Sequence, residues 1–434
     1  MGFAYKNNHL HFVGVGGVSM SGLARIAAHL GAKVTGSDRQ DSEALRTLKQ
    51  DGFDVYVGHD AEYATRCDLL VYTSAVPEAD PERRAAARQI ERSELLGEIA
   101  SLYPTVIAVA GTHGKTTVSG MLASILQAAG VPYTAHIGGK LAGETGGTHI
   151  GGNEVFLTEA CEYRRHFLHL APTVGVVTNV EHDHPDCYPI LDDVYDAFVR
   201  FGQNCRALVT EDERLICSLA HTHTSTYRRA SIRPLECKND TYLFQAYDAS
   251  VKITLNVWGD FNMQNAAFAV TAARLAGIDG AHIAEGLARF EGVDRRQQYL
   301  GTLHGMPIIS DYAHHPTEIC ALTRAAKRRY GKIAVVFEPH TYSRTLALLD
   351  RFATCFEADS VYLLPTYAAR EREIEGVDKK LFEAINVQNK TYADQAETLR
   401  LLRNLPQKNY GAILFVGAGN VHEFAKKAVM LEQE

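Results

Sequence analysis

The chain has 434 residues, of which 46% are apolar and 22% charged, with a formal net charge of −7. That length exceeds what one core serves, so two to four domains are expected. The acidic balance and the short, scattered basic clusters (Arg83-Arg84, Arg228-Arg229, Lys327-Arg328-Arg329) exclude a general nucleic-acid surface.

Taken in chain order, apolar strands alternate with helices, the pattern of parallel α/β sheets. A strand from Leu10 runs through Gly14-Val-Gly-Gly17 into a helix over Ser19–Leu30; further strands are predicted at Lys33–Gly36 and Leu69–Tyr72. Tyr103-Pro104 reads as a link into a central region with strands at Val155–Thr158 and Val174–Thr178 and a helix over Asn262–Leu275. Residues 215–260, with the run His221-Thr-His-Thr-Ser-Thr, are polar and irregular, more like antiparallel strands and loops than βαβ. A second boundary falls near Arg296–Leu300, followed by strands at Pro307–Ser310, Ile333–Phe337 and Val361–Leu364. Ala412-Ile-Leu-Phe-Val-Gly-Ala-Gly419 then enters a helix over Val421–Met430. Three domains, 1–101, 102–297 and 298–434, accommodate this order.

The central glycine turn carries the most chemistry. The β-branched run from Val106 ends in Gly111-Thr112-His113-Gly114-Lys115-Thr116-Thr117. Glycines let backbone N–H groups approach phosphates, a helix start favours anions, lysine reaches the outer phosphates, and the hydroxyl after it holds Mg²⁺. Val109 stands where the strict eight-residue pattern has its first glycine, so the loop is a shorter form. A nucleoside triphosphate is the expected ligand. Glu159-Ala-Cys-Glu162 and Asn179-Val-Glu-His-Asp-His-Pro-Asp186 follow two of the predicted strands. In a parallel sheet their strand ends face the same edge as the loop, placing Glu159 and the acidic–histidine run near the nucleotide. Zinc on His182 and His184 is the poorer choice, since no matching ligands accompany them.

The first turn, Gly14-x-Gly16-Gly17-x-Ser19 with Asp38 about twenty residues on, partly fits the dinucleotide fingerprint. Ser19 replaces the third glycine, so a sugar nucleotide is as good a guess as NAD, beside a purely structural turn. In the last domain, Ser310-Asp-Tyr-Ala-His-His-Pro316 and Glu338-Pro-His-Thr-Tyr-Ser-Arg344 crowd polar and aromatic groups at two strand ends. Such groups are costly to bury without partners, so they read as one face of a substrate site, although either histidine could cap a helix. Eight cysteines without C-x-x-C spacing, no apolar run of roughly 18 residues, and a strand beginning within about ten residues of Met1 fit a cytoplasmic chain that spans no membrane. Lys6 occupies the position where myristoylation of Gly2 wants Ser or Thr.

In order, Gly14-x-Gly-Gly-x-Ser-Met-Ser-Gly-Leu-Ala24, Gly111-Thr-His-Gly-Lys-Thr-Thr117, Glu159-Ala-Cys-Glu162, Asp183-His-Pro-Asp186, Asp311-Tyr-Ala-His-His-Pro-Thr-Glu318 and Pro339-His-Thr-Tyr-Ser-Arg-Thr345 resemble the Mur ligases of peptidoglycan synthesis, over nearly the whole chain. The resemblance implies an α/β fold of three domains: a Rossmann-like N-terminal domain for a UDP-sugar, a central P-loop ATPase domain and a Rossmann-like C-terminal domain. It implies Gly16, Gly17, Ser19, Met20, Ser21, Asp38 and Ser74 at the UDP-sugar, and Gly111 to Thr117 (His113 and Lys115 included) at the ATP phosphates. Asn265 would meet adenine, Arg296 the phosphates and Asp311 the ribose. Thr116 and Glu159 would ligate one Mg²⁺ and His184 a second, while Tyr312, His314, His340 and Arg344 would face the incoming amino acid. Departures are Phe261 in place of a histidine, and Thr341 where some alanine-adding members have arginine. Phe198, as in alanine-adding members, sits near the place of a modified lysine in relatives adding later residues.

The implied activity joins L-alanine to the lactyl carboxylate of UDP-N-acetylmuramate through an acyl phosphate, with His184 or His314 open as the proton acceptor. A recycling ligase adding a tripeptide shares the architecture. An NAD-dependent oxidoreductase leaves the phosphate loop without purpose, and a non-catalytic nucleotide switch is the remaining rival.

Overall fold

The computed structural model describes residues 5–140, 146–184, 186–220, 226–229, 234–238, 241–246, 249–407 and 409–432, with only the backbone course over the strands between 226 and 251. Met1-Gly2 and His221–Ser225 lie outside the described residues. The chain forms two compact units, Met1–Asn256 with Gln264–Glu291, and Val257–Met263 with Gly292–Glu434.

Among the described residues the first unit holds three sheets. Strands β1 (His9–Val13), β2 (Lys33–Asp38), β3 (Asp54–Val57), β4 (Leu69–Tyr72) and β5 (Gln89–Glu91) form a parallel sheet of order β3-β2-β1-β4-β5. Strands β6 (Thr105–Ala110), β7 (Tyr133–His136), β8 (Thr148–Ile150), β9 (Val155–Glu159), β10 (Val174–Val177), β11 (Ala207–Thr210) and β12 (Thr226–Arg229) follow in the order β12-β11-β10-β6-β9-β7-β8. Only β8 is antiparallel in that sheet. Strands β13 (Pro234–Lys238), β14 (Thr241–Ala246) and β15 (Ala249–Thr254) make a small antiparallel sheet, as expected for that polar stretch. The same stretch also contains β12, which pairs in parallel, and the end of the helix Glu213–Ala220; neither fits the irregular reading.

In the second unit, β16 (Gln298–Leu303), β17 (Met306–Asp311), β18 (Ile333–Phe337), β19 (Ser360–Leu363), β20 (Asn389–Tyr392) and β21 (Ala412–Val416) take the order β16-β17-β21-β18-β19-β20, antiparallel only at β16. Its central strands are apolar at every position because both faces are covered. Ile333, Val335 and Phe337 enter one buried cluster while Ala334 and Val336 enter another. Strand β6 is likewise buried from Val106 to Ala110, and β10 throughout. These continuous apolar runs fix the strands, and their carboxyl ends present the loops that carry the polar motifs.

Candidate functional site

The central loop is shaped by two glycines with left-handed backbone, Gly111 (φ 129°) and Gly114 (φ 85°). Neither could carry a side chain: a Cβ at Gly111 would strike Thr178, and one at Gly114 would lie 2.6 Å from Asn265 Oδ1. The loop is pinned to the segment after β10. Asn179 O accepts from Thr112 N (3.0 Å), Asn179 Oδ1 from His113 N (2.9 Å), and His113 O from Thr178 Oγ1 (2.5 Å). Glu181 N donates to Thr112 Oγ1 at 2.9 Å, and His113 Nε2 lies 3.6 Å from Glu181 Oε1. The helix Lys115–Ala128 starts without a side-chain cap, so its first N–H groups stand outside its own ladder. That is an anion-accepting geometry.

Lys115 Nζ donates to Gly111 O, to Thr112 O at 3.2 Å and to both Glu162 oxygens at 3.1 Å. Burial works against its charge, yet the Glu162 carboxylate holds its pKa above the ordinary lysine value. Glu162 is only 4% exposed, and its backbone oxygen accepts the Tyr188 hydroxyl. His184 Nε2 comes within 3.8 Å of Glu162 Oε1. His184 has a left-handed backbone (φ 56°), a conformation costing on the order of 1–3 kcal/mol. It is held by the Tyr163 ring 5.1 Å away and by Asp183 Oδ1, which accepts from His184 N at 2.8 Å. Lysine, carboxylate and imidazole therefore converge at the ends of β6, β9 and β10. Glu159, at the end of β9, accepts from Gly138 N at 2.9 Å and its charge also helps to raise the Lys115 pKa. The sequence reading puts Glu159 in the site and passes over Glu162, which is the lysine's own partner. His182 Nε2 is turned to Tyr188 O (2.8 Å).

At the first glycine turn, Gly14 is left-handed (φ 82°) and Gly17 N donates to its carbonyl. Asp38 Oδ2 accepts from Gly16 N at 3.0 Å, so this acid braces the turn. Met20 is buried, Ser21 Oγ donates to Val18 O at 3.0 Å, and Ser74 is exposed after β4. Ser19 makes side-chain contacts of a different kind, with His136 Nε2 (2.8 Å) and Arg92 Nη1 (3.1 Å).

In the second unit, Asp311 is buried at the end of β17 and accepts from Gln297 N and Ala313 N, each at 2.8 Å. Burial raises its pKa against the pull of Arg296. The guanidiniums of Arg295 and Arg296 lie over the Tyr312 ring, 4.7 and 5.2 Å from its centre, and Arg296 reaches Glu318 Oε1 at 3.5 Å. Tyr312, His314, His340 and Arg344 form a chain: ring centres 5.5 Å (Tyr312–His314) and 5.8 Å (His314–His340), then His340 Nδ1 to Arg344 Nη1 at 3.2 Å. Tyr367, absent from the sequence reading, stacks on His340 at 5.7 Å. His315 caps the helix Pro316–Tyr330, so of the two adjacent histidines only His314 joins the chain.

Family models match three consecutive stretches: "Mur ligase family, catalytic domain" over residues 9–104, "Mur ligase middle domain" over 109–273, and "Mur ligase, glutamate ligase domain" over 295–419. The chain is 38% identical to a UDP-N-acetylmuramate–L-alanine ligase of Clostridium beijerinckii over 393 residues, 85% of each chain. It is 37% identical to the enzyme of that name from Clostridium acetobutylicum, covering 98% of this chain and 99% of the relative. Among solved structures, the UDP-N-acetylmuramate–alanine ligase of Thermotoga maritima superposes with a TM-score of 0.79 at 25% identity, covering 98% of this chain and 99% of that one. A murein peptide ligase of Psychrobacter arcticus shares the fold at a TM-score of 0.70 and 22% identity, over 98% of each chain. No helix among the described residues is long and apolar enough to cross a membrane.

Proposed function

Because this chain belongs to the Mur ligase family, we propose that it is an ATP-dependent amide-forming ligase joining L-alanine to the lactyl carboxylate of UDP-N-acetylmuramate, in peptidoglycan precursor synthesis in the cytoplasm. The observation that carries the reading is the convergence of Lys115, Glu162 and His184 on a glycine loop whose helix start is open to an anion.

The lactyl carboxylate attacks the γ-phosphorus of ATP in line; the bond to the β,γ-bridging oxygen breaks, releasing ADP and forming an acyl phosphate. Lys115 exchanges Glu162 for the transferring phosphoryl oxygens, and the loop N–H groups hold the remaining charge. The neutral amine of L-alanine then attacks the acyl carbon, phosphate departs, and the ammonium proton passes to an acceptor, for which His184 and His314 are the candidates. Thr116 and Glu159 offer a hydroxyl and a carboxylate that would hold one Mg²⁺, and His184 an imidazole that would hold a second; bound there, the ions would neutralise phosphate charge. We assign the sugar nucleotide to 1–101, ATP to 102–297 and the amino acid to 298–434, with Asn265, Arg296 and Asp311 serving the nucleotide.

ADP release should require UDP-N-acetylmuramate and L-alanine together. Release with the tripeptide but not with L-alanine would identify a recycling ligase instead, and release with neither would remove the reading.

A further inference from the structure

Arg92, the first residue of the helix Arg92–Ala100, has an unusual set of partners. Its Nη1 donates to Ser19 Oγ at 3.1 Å and its Nη2 to His166 Nδ1 at 3.3 Å. Both acceptors are neutral, and among the described residues the guanidinium pairs with no carboxylate. Ser19 Oγ is also hydrogen-bonded to His136 Nε2, 2.8 Å away. His136 is 6% exposed and ends β7. Four side chains thus run in one line: His136, Ser19, Arg92, His166.

The two partners of Arg92 in that line have different neighbours. Ser19 is in the first turn of the helix Val18–His29, directly after Gly14–Gly17. His166 lies in the turn Tyr163–His169, which begins one residue after Glu162. That turn is also pressed against the Arg92 helix at a second point, because a Cβ on Gly97 would collide with His169 O. Helix and turn are therefore in contact at two points, with Arg92 at the glycine-turn end. A planar guanidinium spans two acceptors with fixed geometry, which a single ammonium does not.

We propose that Arg92 is a positioning residue that couples the Gly14–Ser19 turn to the segment carrying Glu162, and so registers an anionic ligand at that turn against the phosphate-loop lysine. This rests on the reading that the turn takes the diphosphate of a sugar nucleotide; the unneutralised charge of Arg92 and the helix start then face that diphosphate together.

The test is steady-state ADP release by the full-length enzyme, with melting temperature recorded for each variant. Arg92→Ala is expected to raise KM for UDP-N-acetylmuramate about tenfold and to lower kcat about tenfold, with KM for L-alanine within twofold. Arg92→Lys should restore KM but leave kcat low, because charge returns without the fork. His166→Ala should lower kcat with KM unchanged. A merely structural arginine would lower the melting temperature alone and make Lys behave like Ala, and that result overturns the proposal. So do Arg92→Ala and His166→Ala enzymes with kcat and KM within twofold of an active wild type. A wild type that neither binds nor turns over UDP-N-acetylmuramate would instead overturn the underlying reading, and the coupling with it.

Discussion

Two glycine turns of this molecule look alike in sequence and differ in what fills them. Gly111–Gly114 follows β6, Gly417-Ala-Gly419 follows β21, and both lead into helices, Lys115–Ala128 and Val421–Met430, whose own N-cap residues make no side-chain cap. In the central loop the nearby carboxylate, Glu162, sits on Lys115 and leaves the helix start open. In the C-terminal turn the Glu338 carboxylate occupies the helix start itself, Oε2 accepting from Val421 N at 3.2 Å. A Cβ at Gly419 would collide with that same oxygen, so this glycine makes room for a side chain of the protein, where Gly114 makes room beside Asn265. Glycine spacing therefore specifies a backbone path. The occupant is decided by where the carboxylate following the adjacent strand reaches and by whether lysine opens the helix.

The largest expected effect lies in the loop left open. Lys115→Ala should reduce ADP release by at least 10²–10³-fold, roughly the loss seen when one preorganised charge-stabilising donor is removed. Binding of UDP-N-acetylmuramate, measured by calorimetry without ATP, should be unaffected; substantial turnover in this variant would remove the distinction between the two turns.

Glu162→Gln sharpens it. The amide cannot hold Lys115 as an ion pair, so ATP without added Mg²⁺ should bind about tenfold tighter, in line with the greater strength of charge-assisted hydrogen bonds. The catalytic rate should nevertheless fall, because the lysine loses its placement. Unchanged nucleotide affinity would mean that Glu162 does not compete with phosphate for the lysine.

Much of this was legible in the residues. β4 and β18 have the predicted limits, and β10 falls one residue short of them, because strands buried on both faces are written as unbroken apolar runs. Lysine after two glycines likewise announced the phosphate loop. That Glu162 is the ion-pair partner of Lys115 was not legible. It depends on how the chain turns after β9, where Arg164 (φ 51°) and Arg165 (φ 60°) adopt left-handed conformations that no glycine or asparagine signals. Glu338 reads in sequence as one more polar group beside His340, and only the pairing of β18 with β21 carries it to the helix start. His136 is a single histidine at a strand end until the fold brings Ser19 to it.

That histidine gives a smaller, pH-dependent effect at the remaining glycine turn. Burial first, and then the Arg92 charge, push its pKa down to about 3, so the folded protein keeps it neutral. The unfolded chain takes up the proton below about 6.5. Its contribution is thus complete above pH 6.5 and lost as pH falls towards 3, by at most about 1.4 kcal/mol per pH unit. His136→Gln should flatten the decline in unfolding free energy between pH 7 and 5.5; parallel slopes would show that His136 is protonated in the folded protein.

Glu338→Gln should produce the smallest change. Glutamine keeps an acceptor for Val421 N, so stability at pH 5 should stay within about 1 kcal/mol of wild type. Burial raises the Glu338 pKa despite the N–H groups of Val421 and Asn420 and the nearby Arg295. A raised carboxyl pKa favours the folded state most at low pH, and that benefit is lost as pH climbs from the unfolded value through the folded one. Glutamine has no proton to lose, so the balance between the two proteins should move towards the variant on going from pH 5 to pH 8, as read by urea denaturation. Activity should remain within twofold, since this helix start is filled from within and takes no substrate phosphate. A Glu338→Gln enzyme that gains affinity for inorganic phosphate, or loses turnover as Lys115→Ala does, would make the C-terminal turn a working anion site after all.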